Sequence, residues 1–203
     1  MPGDVREPSE IRGGDLPELH RPQHGESEVD ELGCGASPAV APSPPCHRTR
    51  GILVHMQSVY EAAGGAGGLL RLAEAWHSRV MADEIVSHAF SHGFHPQHSE
   101  RLAAYWAQAL GGPGTYSDEY GNETAVVRIH SGNGPHDEMD LRAIACFDRA
   151  LEDVGLTAEP LRQVLHDYFA WATTTTMARY HDSADDVPDG LTIPRWSWDG
   201  LQG

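Results

Sequence analysis

Histidines are the side chains of this sequence best suited to do chemistry. The chain has 13 of them in 203 residues, and four (His88, His92, His95 and His98) fall in one short segment. Their spacings of four, three and three residues would put several imidazoles on one helix face, where they could bind a metal ion. Pro96 disfavours helical geometry in the residue before it, so the four need not converge. His88 and His92 could equally well be exposed or helix-capping histidines that bind no metal.

A further histidine, His130, stands between a short apolar stretch and a glycine-rich turn. Residues 125–129 precede it, and Ser131-Gly132-Asn133-Gly134 follows it. Both flanks could hold a buried imidazole in one orientation. By chemistry alone, such a histidine is more often structural than a metal ligand. The role of His130 therefore depends on the fold around it.

The composition excludes several function classes. Every basic residue is arginine, so neither a Schiff-base lysine nor a phosphate-binding loop lysine is available. The formal net charge is -16, and the sequence pI is about 5.1. Because a surface this acidic repels phosphate backbones, we expect no nucleic-acid partner.

Neither a membrane span nor a disulfide framework is indicated. No apolar run approaches the length needed to cross a bilayer, and the N-terminus lacks the basic-then-apolar pattern of a secretory signal. The cysteines Cys34, Cys46 and Cys146 are odd in number and widely spaced, which indicates reduced thiols. We therefore expect a cytoplasmic protein with no membrane partner.

The chain divides into three parts by composition. Residues 1–55 are rich in Pro, Gly, Ser and Glu, which predicts a disordered extension. Residues 56–182 are expected to form one domain. Residues 183–203 form a tail whose Trp196 and Trp198 are too apolar to stay fully exposed, so we expect the tail to pack on the domain.

The domain is predicted to be all-α. Ser58 and Glu61 have the spacing of a capping box before a first short helix. Two long connectors, 87–102 and 111–140, contain the histidines discussed above. No useful stretch alternates with period two, whereas four stretches repeat apolar residues at helical spacing. These are Leu69, Leu72, Trp76 and Val80; Leu102, Tyr105, Trp106 and Ala109; Leu141, Ile144, Phe147, Leu151 and Val154; and Leu161, Leu165, Tyr168, Phe169 and Ala172.

The order of short motifs resembles the truncated haemoglobins, most closely their second group. The motifs run through the domain without large gaps. They are Trp76-His77-Ser78-Arg79-Val80, Gly111-Gly112-Pro113-Gly114-Thr115-Tyr116-Ser117, Arg128-Ile129-His130 and Cys146-Phe147. The resemblance implies a shortened globin fold, a two-over-two helical sandwich around haem. It also places His130 at the proximal position, where one ring nitrogen binds iron and the other needs a carbonyl or carboxylate partner.

The resemblance carries over to the opposite, distal face of the haem with three departures. Phe90 matches the aromatic residue that wedges against the haem, and Leu102 lies one helical turn beyond His98. His77 stands where the group usually has tyrosine, and His98 stands where it often has a small residue, with His95 as the alternative for that position. Ala143 or Arg142 falls where the group usually has tryptophan. The family's Tyr-plus-Trp arrangement is therefore missing, and His77 and His98 become the candidate catalytic residues.

Three further aromatic residues are candidates for contact with the cofactor. Tyr105 and Trp106 are expected to pack in the core or at the haem edge, and Tyr116 belongs to the Gly-Gly-Pro-Gly-Thr-Tyr-Ser run that carries the resemblance. Core packing is the alternative for Tyr105 and Trp106. The run Ser131-Gly132-Asn133-Gly134 also replaces the family's apolar and aromatic residues after the proximal histidine.

The leading functional hypothesis is a haem protein that binds O2, NO or a related diatomic gas. Dioxygenation of NO and reduction of peroxide are candidate reactions, and a distal imidazole can exchange protons in peroxide chemistry. No reductase motif is present, so turnover would need an external electron donor. The sequence makes no prediction of the oligomeric state.

Two other functions fit parts of the sequence. The first is a helical non-haem metal protein that uses His88, His92, His95 and His98, with Asp137 or Glu138 as further ligands. The second is a globin-like sensor or interaction module without haem, which the altered residues after His130 would suit. An absorption spectrum separates these functions from a haem protein.

Overall fold

A computed structural model of the chain describes residues 57–203. The prediction of a disordered extension over residues 1–55 lies outside the described residues, as do Cys34 and Cys46. Cys146 is described and is buried, as expected for a small apolar residue. In residues 57–203 no helix is both long and apolar enough to cross a membrane.

The described residues form six α-helices joined by short irregular segments. The helices are α1 (Val59–Ala62), α2 (Gly65–Ala82), α3 (His98–Ala109), α4 (Glu123–Ile129), α5 (Asp137–Asp153) and α6 (Leu161–Trp171). Two 3-10 turns span Val86–Phe90 and Ala184–Asp186, and two π-helical segments span Tyr116–Tyr120 and Ala172–Met177. Two short strands, β1 (Arg195–Ser197) and β2 (Gly200–Gln202), pair antiparallel as a hairpin near the C-terminus.

The start of the domain is set by a cap and by a close backbone approach. The hydroxyl of Ser58 accepts a hydrogen bond from the amide of Glu61 at 3.2 Å, and the Glu61 carboxylate accepts one from the Ser58 amide at 2.9 Å. This confirms the predicted capping box. Inside α2, a Cβ atom on Gly68 would overlap the carbonyl oxygen of Ala63. Only glycine lets α1 and α2 meet this closely.

The four long helices pack as two pairs. Helix α2 lies against α3, α5 lies against α6, and the pairs meet where α2 packs on α5. The core between them is apolar and includes Leu69, Leu72, Phe147, Leu151 and Leu165, each at most 1% exposed. The predicted all-α class and two-over-two arrangement are confirmed.

The connector before His130 is more regular than its sequence indicates. Residues 125–129 were expected to be a short apolar stretch in a long connector, but they belong to the seven-residue helix α4. The side chain of Asn122 caps this helix by accepting a hydrogen bond from the Ala125 amide at 3.0 Å. Two turns are too few for a clear helical repeat, so the Asn cap is the one available signal.

The C-terminal tail packs on the helical domain. The Trp196 ring contacts the rings of Tyr168 and Trp171, with centroids 5.9 and 5.4 Å away. The indole N–H of Trp198 donates to the carbonyl oxygen of Gln57 at 2.6 Å. The hairpin that carries both tryptophans was not predicted, because strands of three residues are too short to show alternation.

Candidate functional site

Four aromatic and imidazole rings meet between α2 and α3. His77 lies on α2, His98 begins α3, and Phe90 and Phe94 come from the segment between these helices. The centroid of the His77 ring is 4.9 Å from that of His98, 5.4 Å from Phe90 and 4.6 Å from Phe94. The segment 87–102 therefore brings one of its four histidines, His98, against a histidine from another helix.

Local hydrogen bonds explain how the segment between α2 and α3 reaches this arrangement. The Asp83 carboxylate accepts hydrogen bonds from the amides of Ile85 and Val86 at 2.9 and 3.0 Å, which starts the turn leading to Phe90. The 3-10 turn ends at Phe90, and α3 begins only at His98, after Pro96. The prediction that Pro96 interrupts a helix is confirmed.

The two facing histidines are held in the neutral form. Burial, with smaller contributions from charge on His77 and His130, lowers the pKa of His98 to about 4, while Glu100 acts in the opposite direction. Burial also lowers the pKa of His77. The Nδ1 atoms of both rings are buried and have no hydrogen-bond partner among the described residues. Two neutral rings with free polar atoms are suited to bond a small ligand.

His130 follows the last residue of α4 and is anchored through one ring nitrogen. Its Nδ1 lies 2.8 Å from the carbonyl oxygen of Val126, one helical turn earlier. With the proton on Nδ1, this nitrogen donates to the carbonyl, and Nε2 keeps a free lone pair. His130 is exposed to solvent, and desolvation by neighbouring protein atoms lowers the pKa of its imidazole. A carbonyl partner of this kind is what the resemblance requires of a proximal histidine.

His130 and His98 belong to the same region of the fold. They are far apart in sequence, and charge on His130 contributes to the lowered pKa of His98. The structure thus brings His77, Phe90, His98 and His130 of the predicted site residues into one region.

The other predicted site residues lie deeper in the core. Ala143 is buried, and its carbonyl oxygen accepts a hydrogen bond from the indole N–H of Trp76 at 3.2 Å. Trp106 is buried against the rings of Trp76, Phe147 and Phe169. Leu102 is half-buried beside this cluster. These positions fit core packing that borders the histidine region.

Tyr105 and Tyr116 contact each other and not the facing histidines. Their ring centroids are 5.3 Å apart. The Tyr105 hydroxyl donates to Oε2 of Glu123 at 2.9 Å, and both side chains are buried. Burial raises the pKa of Glu123 and of Tyr105. Tyr105 is thus committed to an internal hydrogen bond, which weakens its assignment as a cofactor contact.

Sequence reasoning missed Phe94 and Glu123. Phe94 was read only as part of the break before Pro96, although its ring contacts both His77 and His98. An aromatic residue close to a histidine cluster was the available signal. Glu123 gave no signal, because a glutamate at the start of a helix is usually exposed.

The histidines of residues 87–102 do not form a metal cluster. His88, His92 and His95 are exposed, while His98 turns inward to His77. Across residues 57–203, no group of three or more His, Cys, Asp or Glu side chains is placed to hold a metal ion. The geometry therefore does not support the non-haem metal protein.

The residues around these histidines fit haem, which the resemblance implies. His130 offers one nitrogen donor whose orientation is fixed, and His77 and His98 offer buried ring nitrogens without partners. Large exposed apolar side chains lie beside these histidines. Phe94, next to His77 and His98, is 49% exposed, and Ile129, which precedes His130, is 75% exposed. A haem bound here would find one histidine nitrogen for its iron and apolar side chains for its ring.

Comparisons with known proteins agree with this geometry. The family model for bacterial-like globins matches residues 58–176. Among solved structures, the chain is similar to the haemoglobin of Chloroflexus aurantiacus, with 29% identity, a TM-score of 0.51, and coverage of 60% of this chain and 98% of that one. It is also similar to a thermostable haemoglobin from Thermobifida fusca, with 27% identity and a TM-score of 0.51. That match covers 59% of this chain and 96% of the other.

A more distant structure supports the fold alone. The group II truncated haemoglobin of Bacillus anthracis is 21% identical, with a TM-score of 0.52, and the match covers 61% of this chain and 92% of that one. No curated protein matches the sequence.

Proposed function

The chain belongs to the bacterial-like globin family, and from this premise we propose that it is a haem protein that binds a diatomic gas such as O2 or NO. The observation that carries the proposal is the hydrogen bond that fixes the ring of His130. Its Nδ1 is committed to the Val126 carbonyl, which leaves Nε2 free to bind a metal. His77 and His98 lie in the same region with unpaired buried nitrogens.

His130 would bind the iron of haem, and the iron would supply the chemistry that binds the gas. The carbonyl of Val126 fixes the tautomer of this histidine and limits rotation of its ring. Phe90 and Phe94 would give the haem apolar contacts and restrict the entry of water.

The facing histidines would act as hydrogen-bond donors to the gas. Each neutral imidazole has one N–H, and neither Nδ1 is used within the described protein. The family's tyrosine and tryptophan are replaced here by His77 and Ala143, so the hydrogen bonds to ligand would come from imidazoles. Because the rings of His77 and His98 touch, one can orient the other.

Gas binding is favoured over peroxide reduction as the primary function. A general base works best when its pKa lies near the working pH, whereas the pKa of His98 is about 4. At neutral pH His98 is therefore a good hydrogen-bond donor and a weak proton acceptor. Dioxygenation of NO requires His77 and His98 only to bind the gas by hydrogen bonds. Repeated turnover would need an external electron donor.

Absorption spectra of the purified protein in the ferric, ferrous and CO-bound forms test the proposal. We expect an intense band near ~400 nm that shifts when CO is added to the ferrous protein. A folded but colourless protein from haem-supplied cells would overturn the proposal and favour the haem-free sensor or interaction module.

A further inference from the structure

The segment that follows the family match lies against the helix that carries His130. The match ends at residue 176, and the chain continues to residue 203. Residues 180–191 of this continuation make hydrogen bonds to α4 and to the turn after it. Four residues on the α4 side take part: Thr124, Arg128, Gly132 and Gly134.

Thr124 makes a two-way contact at the start of α4. Its hydroxyl donates to the carbonyl oxygen of Pro188 at 3.1 Å and accepts from the amide of Leu191 at 3.1 Å. The side chain is buried, so the hydroxyl needs both partners. One threonine thus ties two points of the tail to the first turn of α4.

Arg128 makes a second contact two residues before His130. Its guanidinium donates to the carbonyl oxygen of Val187 at 3.1 Å and to the Asp189 carboxylate at 3.0 Å. The Asp189 side chain is largely exposed, so this ion pair contributes little. The bond to Val187 matters more, because Val187 is itself buried and fixed.

The turn after His130 is held by the tail through its backbone. The amide of Gly132 donates to the carbonyl of Tyr180 at 3.0 Å, and the amide of Gly134 donates to that of His181 at 2.9 Å. Gly132 has φ +74, and a Cβ atom there would come 3.2 Å from the backbone nitrogen of Ala184. This explains why glycine stands where the family has apolar and aromatic residues.

An open pocket lies beside the hydrogen bonds that join α4 to the tail. A cavity of about 330 Å³ remains between them, lined by Asn122, Thr124, Ala125 and Arg128 on one side and residues 189–191 on the other. The far end of the tail is anchored elsewhere: Arg195 donates to the Gln108 carbonyl on α3 at 3.0 Å, and Trp196 packs on α6. These contacts of the far end are separate from the hydrogen bonds that residues 180–191 make to α4, and α4 also reaches α3 directly through the hydrogen bond between Glu123 and Tyr105.

We propose that residues 180–191 are a brace that positions α4 and, through it, His130, with Thr124 and Arg128 as positioning residues. The proposal deepens the proposed function, since it rests on His130 as the ligand of the haem iron. The Val126 carbonyl fixes the ring relative to α4, and the brace fixes α4 relative to the rest of the domain. A looser brace would let His130 tilt or withdraw.

Two substitutions in the full-length protein test the brace. Thr124→Val removes both hydroxyl bonds at nearly constant volume, and Arg128→Met removes the guanidinium while keeping the apolar stem. Arg195→Met is the matched control, because it removes a tail contact that does not involve α4. Amide hydrogen exchange is measured on the haem-free protein, and the iron–histidine vibration is measured by resonance Raman on the ferrous haem-bound protein.

We expect the amides of Val127, Gly132 and Gly134 to exchange about 5-fold faster in each test variant and at the wild-type rate in Arg195→Met. The iron–histidine band should shift or broaden in Thr124→Val and Arg128→Met only. Unchanged exchange and an unchanged band in both test variants would overturn the proposal, as would equal changes in the control.

The two measurements separate this proposal from the function on which it rests. Exchange in the haem-free protein reports on α4 whether or not haem binds. A protein that takes up no haem but shows faster exchange in the test variants would refute the proposed function and support the brace.

Discussion

The imidazole rings of His77 and His98 lie with their centroids 4.9 Å apart, and each keeps a buried Nδ1 atom without a hydrogen-bond partner in the described structure. They come from different helices, so their contact depends on the packing of α2 against α3. Leaving two polar atoms unpaired costs stability. Such a cost is typical of positions kept for ligand binding.

Removing either facing imidazole should speed the release of O2. We expect His77→Phe and His98→Leu each to raise the O2 dissociation rate by about 10- to 100-fold, because a strong hydrogen bond to the gas is lost. Haem content should change little. Stopped-flow displacement of O2 measures the rate. His92→Ala is the control, since His92 is exposed; wild-type rates in both test variants would show that these rings do not contact the gas.

The lowered pKa of His98 predicts an acid-sensitive stability in the haem-free protein. Its pKa is 6.5 in the unfolded chain and about 4 in the folded one. Between these pH values the unfolded chain binds a proton on His98 that the folded chain does not. The contribution of neutral His98 to the free energy of unfolding is therefore fully present above pH 6.5 and is lost as pH falls to 4. The loss is at most about 3 kcal/mol.

Urea unfolding at pH 7 and pH 4.5 measures this contribution. We expect His98→Leu to lose less stability on acidification than the wild type, and the exposed-site variant His92→Ala to match the wild type. An equal loss in all three proteins would contradict the lowered pKa.

His130→Ala should abolish stable haem binding. Removal of the only ring nitrogen proposed as the iron ligand leaves apolar contacts alone to hold the cofactor. Added imidazole should restore part of the spectrum, because it can occupy the space of the missing ring. Haem content is measured from the absorption spectrum of the purified protein. A wild-type spectrum without added imidazole would refute the assignment.

Tyr105→Phe should destabilise the fold by about 1–3 kcal/mol, because it removes the hydrogen bond to a buried carboxylate. Burial raises the pKa of Glu123, so the folded state releases this proton at higher pH than the unfolded state does. Stability is therefore lost as pH rises through the folded pKa, and the cost of Tyr105→Phe should be larger at pH 8 than at pH 4.

Glu123→Gln provides the control for this pair. It keeps a hydrogen-bond acceptor for Tyr105 but cannot ionise, so its stability relative to the wild type should increase with pH. In the Glu123→Gln background, Tyr105→Phe should cost less than in the wild type. Additive effects in urea unfolding at both pH values would show that the two side chains are not coupled.

Gly68→Ala should be strongly destabilising, by at least about 2 kcal/mol, because its Cβ would overlap the backbone of Ala63. Gly67→Ala is the matched control one residue away: its Cβ would meet only the end of the Arg71 side chain, at 3.7 Å. Alanine suits a helix interior better than glycine, so the control should gain about 0.5–1 kcal/mol. Thermal unfolding compares them, and similar melting temperatures would be inconsistent with the close approach of α1 and α2.

The family, the helical class and the arrangement of the long helices could all be predicted from the sequence. The apolar repeats of α2, α3, α5 and α6 are long enough to show their period, and the capping box marks the start of the domain. The motif Arg128-Ile129-His130 placed the end of α4 correctly between α3 and α5 in the order of helices. These features are local or repeat over several turns, which is why sequence reasoning reaches them.

Contacts between distant segments could not be predicted. Spacing alone put His98 in a group with His88, His92 and His95, and only the family resemblance placed it on the same face as His77, beside which it lies. Nothing local indicates that Glu123 is buried under Tyr105 or that Thr124 holds the tail. Short elements such as α4 and the β-hairpin carry too few residues for a period. Their positions are decided by tertiary packing.

The hydrogen bond between Trp198 and Gln57 spans 141 residues and joins the last part of the domain to the first residue described. The contact couples the segment before α1 to the C-terminal hairpin, so local loosening of one segment should loosen the other. The same hairpin reaches α3 through Arg195 and α6 through Trp196, so the start of α1 shares a unit of local unfolding with the contacts on these two helices.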